Sequence, residues 1–243
     1  MLRKALVTGA AVGIGRAIAL MLAGKGYDLV VHYRNSAEAA RAVCAEASAQ
    51  GVRAIPLSAD LTQPTEAQAL VDQATDTLGG LSVLVNNVGN FLHSPASETT
   101  IAEWQEVMNS NLNATFYTTR AAINHLKAAK TGRIINIGAA NAQYLRAGHD
   151  NVAYMIAKHG VIIYTQSLAR ELITDGITAN VVAPGIAENS FEYDGDWDGE
   201  LPQLPAGRPA SMADMTRAVW FFINPDSDYI TGQVLEVAGA WNL

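Results

Sequence analysis

The chain has 243 residues, 49% of them hydrophobic, enough to bury a sizeable core in one α/β domain. Its apolar runs fall far short of the roughly 18 residues that a membrane span needs, so no membrane partner is expected. The single cysteine, Cys44, allows no intrachain disulfide and fits a reducing, cytoplasmic setting, and the five histidines lack metal-ligand spacing. Net charge is −7, but residues 188–200 alone hold six acids, and the nearly neutral remainder excludes a nucleic-acid partner, which would require basic patches.

MLRKALVTGAAVGIGR offers the basic start and apolar stretch of a signal peptide, but glycines punctuate it and it runs into Arg16. It reads instead as a buried strand followed by a loop. Apolar, β-branched runs recur at 4–9, 28–33, 52–57, 82–87, 132–138, 177–184 and 233–239. Ala-rich segments at helical spacing separate them, such as SAEAARAVCAEASAQ and TEAQALVDQATDTLG. This alternation implies right-handed βαβ units: a doubly wound α/β fold with a parallel sheet of about seven strands, covered by helices on both faces. Ligands then bind beyond the carboxyl ends of the strands, so function is expected just after each strand. No linker or repeat divides the chain, and residues 1–243 read as one domain.

After the first strand comes TGAAVGIG, with Gly9, Gly13, Ile14 and Gly15 between strand and helix. Glycines permit a tight turn and close backbone approach, and the helix N-terminus presents N–H groups to a pyrophosphate. The second strand ends HYRNS, where an NAD site would carry an acid about 20 residues beyond the glycines. Arg34 stands there instead, able to neutralise a 2′-phosphate, and Ser36 can donate to it from a helix N-cap. This selects NADPH/NADP as the cofactor. Asp60, after the third strand, can accept from an adenine amino group, although an Asp in a DLT turn also serves the turn itself.

In YMIAK, Tyr154 and Lys158 lie one turn apart on a helix face. An ammonium beside the phenol, with a nicotinamide cation, would lower its pKa from about 10 toward the range useful for proton exchange. TGAAVGIG, NNVG (86–89), Asn111 in NSNLNATF, YMIAK, APG (183–185) and ITGQVLEV resemble the short-chain dehydrogenase/reductase family in order and spacing over nearly the full length. Partial similarity extends to its 3-oxoacyl-ACP reductase-like and pteridine reductase-like members. The resemblance implies a Rossmann-like oxidoreductase acting on a small molecule, assembled as a homo-oligomer (tetramer or dimer) through two long central helices. It implies Tyr154 as proton donor, Lys158 as its partner and a binder of the nicotinamide ribose, and Asn111 as a holder of relay water. It also extends the cofactor contacts to Tyr33, Asn35, Leu61, Asn87, Gly89, Pro184 and Gly185.

One residue departs from that pattern. IGAANAQY puts Ala139 where the family's substrate-binding serine stands, and losing such a donor costs about 2.7 to 4 kcal/mol unless another group replaces it. Asn141, Tyr144 and His149 are the candidates. The alternatives are a substrate other than a simple ketone, such as a pterin, or an NADPH-binding regulatory protein with little activity. Smaller departures are Ser82, Val88, Asn189 and AGA at 238–240. Finally, YDGDWDGE (193–200) starts like a calcium loop, but counting twelve from Asp194 reaches Pro205, which supplies no carboxylate. It lies in the aperiodic stretch 185–211, expected to be a lid. Its carboxylates, with Phe191, Tyr193 and Trp197, would favour cationic substrates, while a solvated acidic loop is the plainer reading.

Overall fold

A computed structural model describes residues 2–147, 150–188 and 204–241. Among the described residues there are seven strands: β1 (Lys4–Val7), β2 (Asp28–Tyr33), β3 (Ala54–Ser58), β4 (Val83–Asn86), β5 (Arg133–Ile137), β6 (Thr178–Pro184) and β7 (Val234–Val237). They form one sheet in the order β3-β2-β1-β4-β5-β6-β7, and every pair is parallel. Each predicted strand is present: β2 has the expected bounds, β3 starts two residues later and ends one later, and the others are shorter by a residue or two at one or both ends. The helices are α1 (Gly13–Gly24), α2 (Ala37–Ser48), α3 (Pro64–Leu78), α4 (Ile101–Met108), α5 (Ala114–Ala129), α6 (Val152–Leu172) and α7 (Met212–Ile223). Among the described residues, none is long and apolar enough to cross a membrane.

Alternation along the strands sorts the core into two layers. Val7, Val31, Val85, Ile135 and Val182 pack on one face against Ile18 and Leu22 of α1, Val43 of α2 and Phe222 of α7. Their neighbours Leu6, Val30, Leu84, Ile134 and Ala179 face α3, α5 and α6 through Leu70, Leu126 and Leu172. Both faces are therefore apolar, which is why the strands read as continuous hydrophobic runs. Cys44 is buried in the first layer, where burial pushes its thiol up to about 11.

Strand order reverses between β1 and β4, so the turns after these two strands open a crevice. Polar side chains reinforce the second layer beneath it. Asn86 of β4 donates to Thr119 and to Asn136, each at 2.8 Å, and accepts from Thr118 at 2.6 Å. Asn136 of β5 donates in turn to Thr165 on α6 at 2.8 Å. This chain fixes α5 and α6 to the central strands. The helices carrying Asn111, Tyr154 and Lys158 are thus set relative to the sheet by satisfied buried amides.

Candidate active site

The turn after β1 needs its glycines for identifiable reasons. Gly9 and Gly13 have φ of +60° and +55°, in the left-handed region. A Cβ on Gly15 would fall inside Gly9 O and 2.6 Å from Asn87 Nδ2. Asn87 is what holds the turn, donating to Thr8 O and Gly9 O at 3.1 Å each, while its backbone N–H donates to Thr8 Oγ1 at 2.9 Å. Its amide nitrogen is therefore committed to the protein, and only its carbonyl remains for a ligand. Val12 at the N-cap of α1 supplies no side-chain bond, so the first N–H groups of α1, around Ile14, stay available.

At the end of β2, Tyr33 is half-buried and Arg34, Asn35 and Ser36 are exposed. Ser36 is the N-cap of α2 but its hydroxyl makes no capping bond, leaving it to donate elsewhere. Arg34 forms no ion pair among the described residues. After β3, Asp60 Oδ1 accepts from the Thr62 amide at 3.0 Å and its hydroxyl at 2.8 Å. The turn thus uses one oxygen and leaves the other. Burial pushes the Asp60 carboxyl up, but the Thr62 bonds and the Arg34 guanidinium bring it below its ordinary value. Leu61 buries its side chain in the second core layer, so only its backbone faces the crevice. Pro184 closes β6, its carbonyl accepting from Ala140 N at 2.8 Å, and Gly185 donates to Val237 O at 3.1 Å.

Asn111, Tyr154, Lys158 and Gly89 meet across the crevice. Asn111 is fully buried in a π-helical turn (Asn109–Asn113) between α4 and α5, donating from Nδ2 to Asn90 O at 2.9 Å and Val107 O at 3.0 Å. Its Oδ1 has no partner. A Cβ on Gly89 would fall inside that Oδ1 and lie 3.3 Å from Lys158 Nζ, so only glycine allows the backbone to pass this close to both. An unpaired buried acceptor near an ammonium is suited to bind a water. Lys158 Nζ also donates to Ile137 O at 2.8 Å, and burial pushes its pKa down to about 8.

The expected lowering of Tyr154 drew on a nicotinamide cation as well as on Lys158, and in the chain alone burial dominates. Nζ lies over the Tyr154 ring, 5.5 Å from its centroid, and burial pushes the phenol up to about 12. Ala139 is buried in a small apolar cluster against which Tyr154 packs, and it offers no donor. Of the residues that could replace a serine there, Asn141 is buried with φ of +66° and an unpartnered Oδ1. Tyr144 is exposed under the Arg146 guanidinium. His149, the acidic stretch 193–200, Asn189, Phe191, Tyr193 and Trp197 lie outside the described residues.

The structure adds neighbours that no sequence pattern singled out. Phe91 meets Tyr154 edge-on with ring centroids 5.0 Å apart, and leaves half its surface exposed. His93 Nε2 pairs with Asp150 Oδ2 at 2.6 Å, clasping the loop after β4 to the start of α6. Glu236 of β7 accepts from Asn141 N at 2.8 Å and Gln143 Nε2 at 3.1 Å, fixing the loop that begins at Ala139. Phe91 and His93 lie in the loop between β4 and α4, and that position was their one available signal. Among the described residues no cluster of side chains could hold a metal.

Residues 3–194 match the short chain dehydrogenase family. The chain is 36% identical over 242 residues to the 3-oxoacyl-[acyl-carrier-protein] reductase FabG of Staphylococcus aureus, covering 98% of each. It is equally identical over 246 residues to that of Vibrio cholerae, covering 98% of this chain and 96% of the relative. Among solved structures it resembles a blue fluorescent protein from a metagenomic library in complex with NADPH, at TM-score 0.92 and 36% identity over 99% and 98% of the two chains. It also resembles a short chain dehydrogenase of Burkholderia cenocepacia in complex with NADP, at TM-score 0.90 and 34% identity over 98% and 96%. The chain belongs to the short-chain dehydrogenase family of oxidoreductases.

Proposed function

We propose that this short-chain dehydrogenase is an NADPH-dependent reductase of a small carbonyl or C=N compound. The observation that carries the reading is the meeting of Lys158 and the orphaned Asn111 Oδ1 at Gly89, with the Tyr154 ring under the Lys158 ammonium, together with a glycine turn and an uncapped helix N-terminus. The residues fit a dinucleotide, since Gly15 lets the turn after β1 pack closely on α1, whose first N–H groups have no side-chain cap. When bound, NADPH supplies the hydride.

The chain supplies the rest. The first N–H groups of α1 bind a pyrophosphate, Arg34 and Ser36 bind a 2′-phosphate, and the second Asp60 oxygen accepts from adenine. The Tyr154 hydroxyl, free of hydrogen bonds within the described residues, gives its proton to the substrate oxygen or nitrogen. Lys158 and a water on Asn111 Oδ1 then return a proton to the phenolate. Phe91 beside Tyr154 favours a substrate with a flat, apolar face. The relatives named as 3-oxoacyl-[acyl-carrier-protein] reductases and the neighbours holding NADPH or NADP support this assignment.

Ala139 favours a second reading, an NADPH-binding protein with little turnover. Keeping Asn111, Tyr154 and Lys158 in one constellation favours the enzyme, because a sensor has no use for a proton path. We also assign a homo-oligomer through α5 and α6, whose outer faces expose Phe116, Ile156 and Ile163. The test follows NADPH and NADH absorbance against ketones, 3-oxoacyl thioesters, imines and dihydropterins, with Tyr154→Phe as control. Turnover that prefers NADPH and vanishes in the variant is expected; NADPH binding without turnover on any class would establish the second reading.

A further inference from the structure

His32 stands two residues before Arg34 yet faces inward, and is 2% exposed. Gly9 N donates to its Nδ1 at 3.0 Å, and its Nε2 lies 3.1 Å from Ala59 O. A carbonyl oxygen only accepts, so Nε2 must carry the proton and Nδ1 the lone pair. Burial pushes the ring's pKa down to about 4 against the opposing effects of the Ala59 bond and of Asp60, so it is neutral near pH 7 and both bonds persist. Backbone bonds run in parallel: Ala10 N donates to His32 O at 2.8 Å and Ala59 N to Tyr33 O at 3.2 Å.

One ring therefore joins three separate segments. These are the glycine turn after β1, the end of β2 with Arg34 and Ser36, and the end of β3 leading to Asp60. The position of Gly9 matters most, because its carbonyl is the atom that a Cβ on Gly15 would strike. Moving Gly9 changes the room at the N-terminus of α1.

We propose that His32 is a positioning residue for the dinucleotide: it sets the glycine turn through Gly9 N and holds that turn in register with the adenosine-binding residues through Ala59 O. This rests on the NADPH reading above. Asparagine and glutamine separate the two bonds. In His32→Asn the shorter amide carries its oxygen near the place of Nδ1 and can keep Gly9, whereas in His32→Gln the longer one reaches toward Ala59 and loses Gly9.

The experiment is titration of NADPH fluorescence on native protein, His32→Asn, His32→Gln and His32→Ala, with melting temperatures measured alongside. Native protein and His32→Asn should bind within about threefold of each other, and His32→Gln and His32→Ala about tenfold more weakly. A merely structural histidine would show losses that follow melting temperature, with the asparagine and glutamine variants alike, and that result overturns the proposal. Equal binding by all four proteins does so too while leaving the cofactor reading intact; failure of the native protein to bind NADPH overturns both. On native protein, ¹⁵N ring resonances should show the Nε2–H tautomer, and an Nδ1–H tautomer would refute the Gly9 bond without any variant.

Discussion

Replacing Arg34 by alanine should separate the two nicotinamide cofactors. Arg34 is exposed and makes no ion pair among the described residues, so its truncation orphans nothing buried, and the melting temperature should move by no more than about 2 °C. A hydrogen bond to a charged phosphate is worth about 1.5 to 3 kcal/mol, and exposure places this one at the lower end. NADPH affinity should therefore fall about tenfold while NADH affinity stays unchanged. Removing the Ser36 hydroxyl, uncommitted at the N-cap of α2, should add a smaller loss of about 0.5 to 1.5 kcal/mol for NADPH alone. The Asp60 carboxyl supplies an internal check. Burial and the Thr62 bonds would still act on it, but without Arg34 its pKa should rise. Calorimetric titration with both cofactors at two salt concentrations measures the ratio, and the Arg34 contribution should shrink at high salt. Equal weakening of NADPH and NADH, or of neither, would refute the assignment of Arg34 to a 2′-phosphate.

Three further expectations test other parts of the site. His32 binds its proton near pH 6.5 in the unfolded chain but only near 4 in the fold, so its stabilising effect is complete above about pH 6.5 and is lost as pH falls toward 4. The loss amounts to about 3 kcal/mol, and His32→Asn should flatten that part of a urea-denaturation series across pH. Gly15→Ala should cost about 1 to 3 kcal/mol, because its Cβ meets a backbone carbonyl that Asn87 holds in place. Gly51→Ala, in open space with φ of +89°, should cost only the backbone term of about 1 kcal/mol, and equal melting temperatures for the two would contradict the packing argument. Glu236→Ala should lower kcat/KM about tenfold by releasing Asn141 and Gln143 while leaving the NADPH Kd alone; Glu236→Gln keeps an acceptor and should recover most of it.

The doubly wound sheet was legible because a parallel sheet buried on both faces demands unbroken apolar runs, and DLVVHY and GRIINIG can satisfy nothing else so well. The glycine turn, the Arg34 position and the Tyr154–Lys158 spacing were legible for the same kind of reason. Each is a local pattern, set by backbone freedom or by one helical turn. What escaped the sequence depends on segments far apart along the chain. Nothing near His32 says that its ring reaches Gly9 and Ala59, and nothing in QVLEVAG says that Glu236 grips the loop after β5. Nor does NNVG say that the Asn87 amide nitrogen clamps the turn after β1 through two carbonyls. Nor does the spacing of Tyr154 and Lys158 say that the ammonium lies over the phenol ring and bonds to Ile137 O. Sequence period determines which elements form and which faces they bury. Only the folded arrangement decides where each buried hydrogen-bonding group finds its partner, because that choice is made across the sheet, where separation along the chain carries no information.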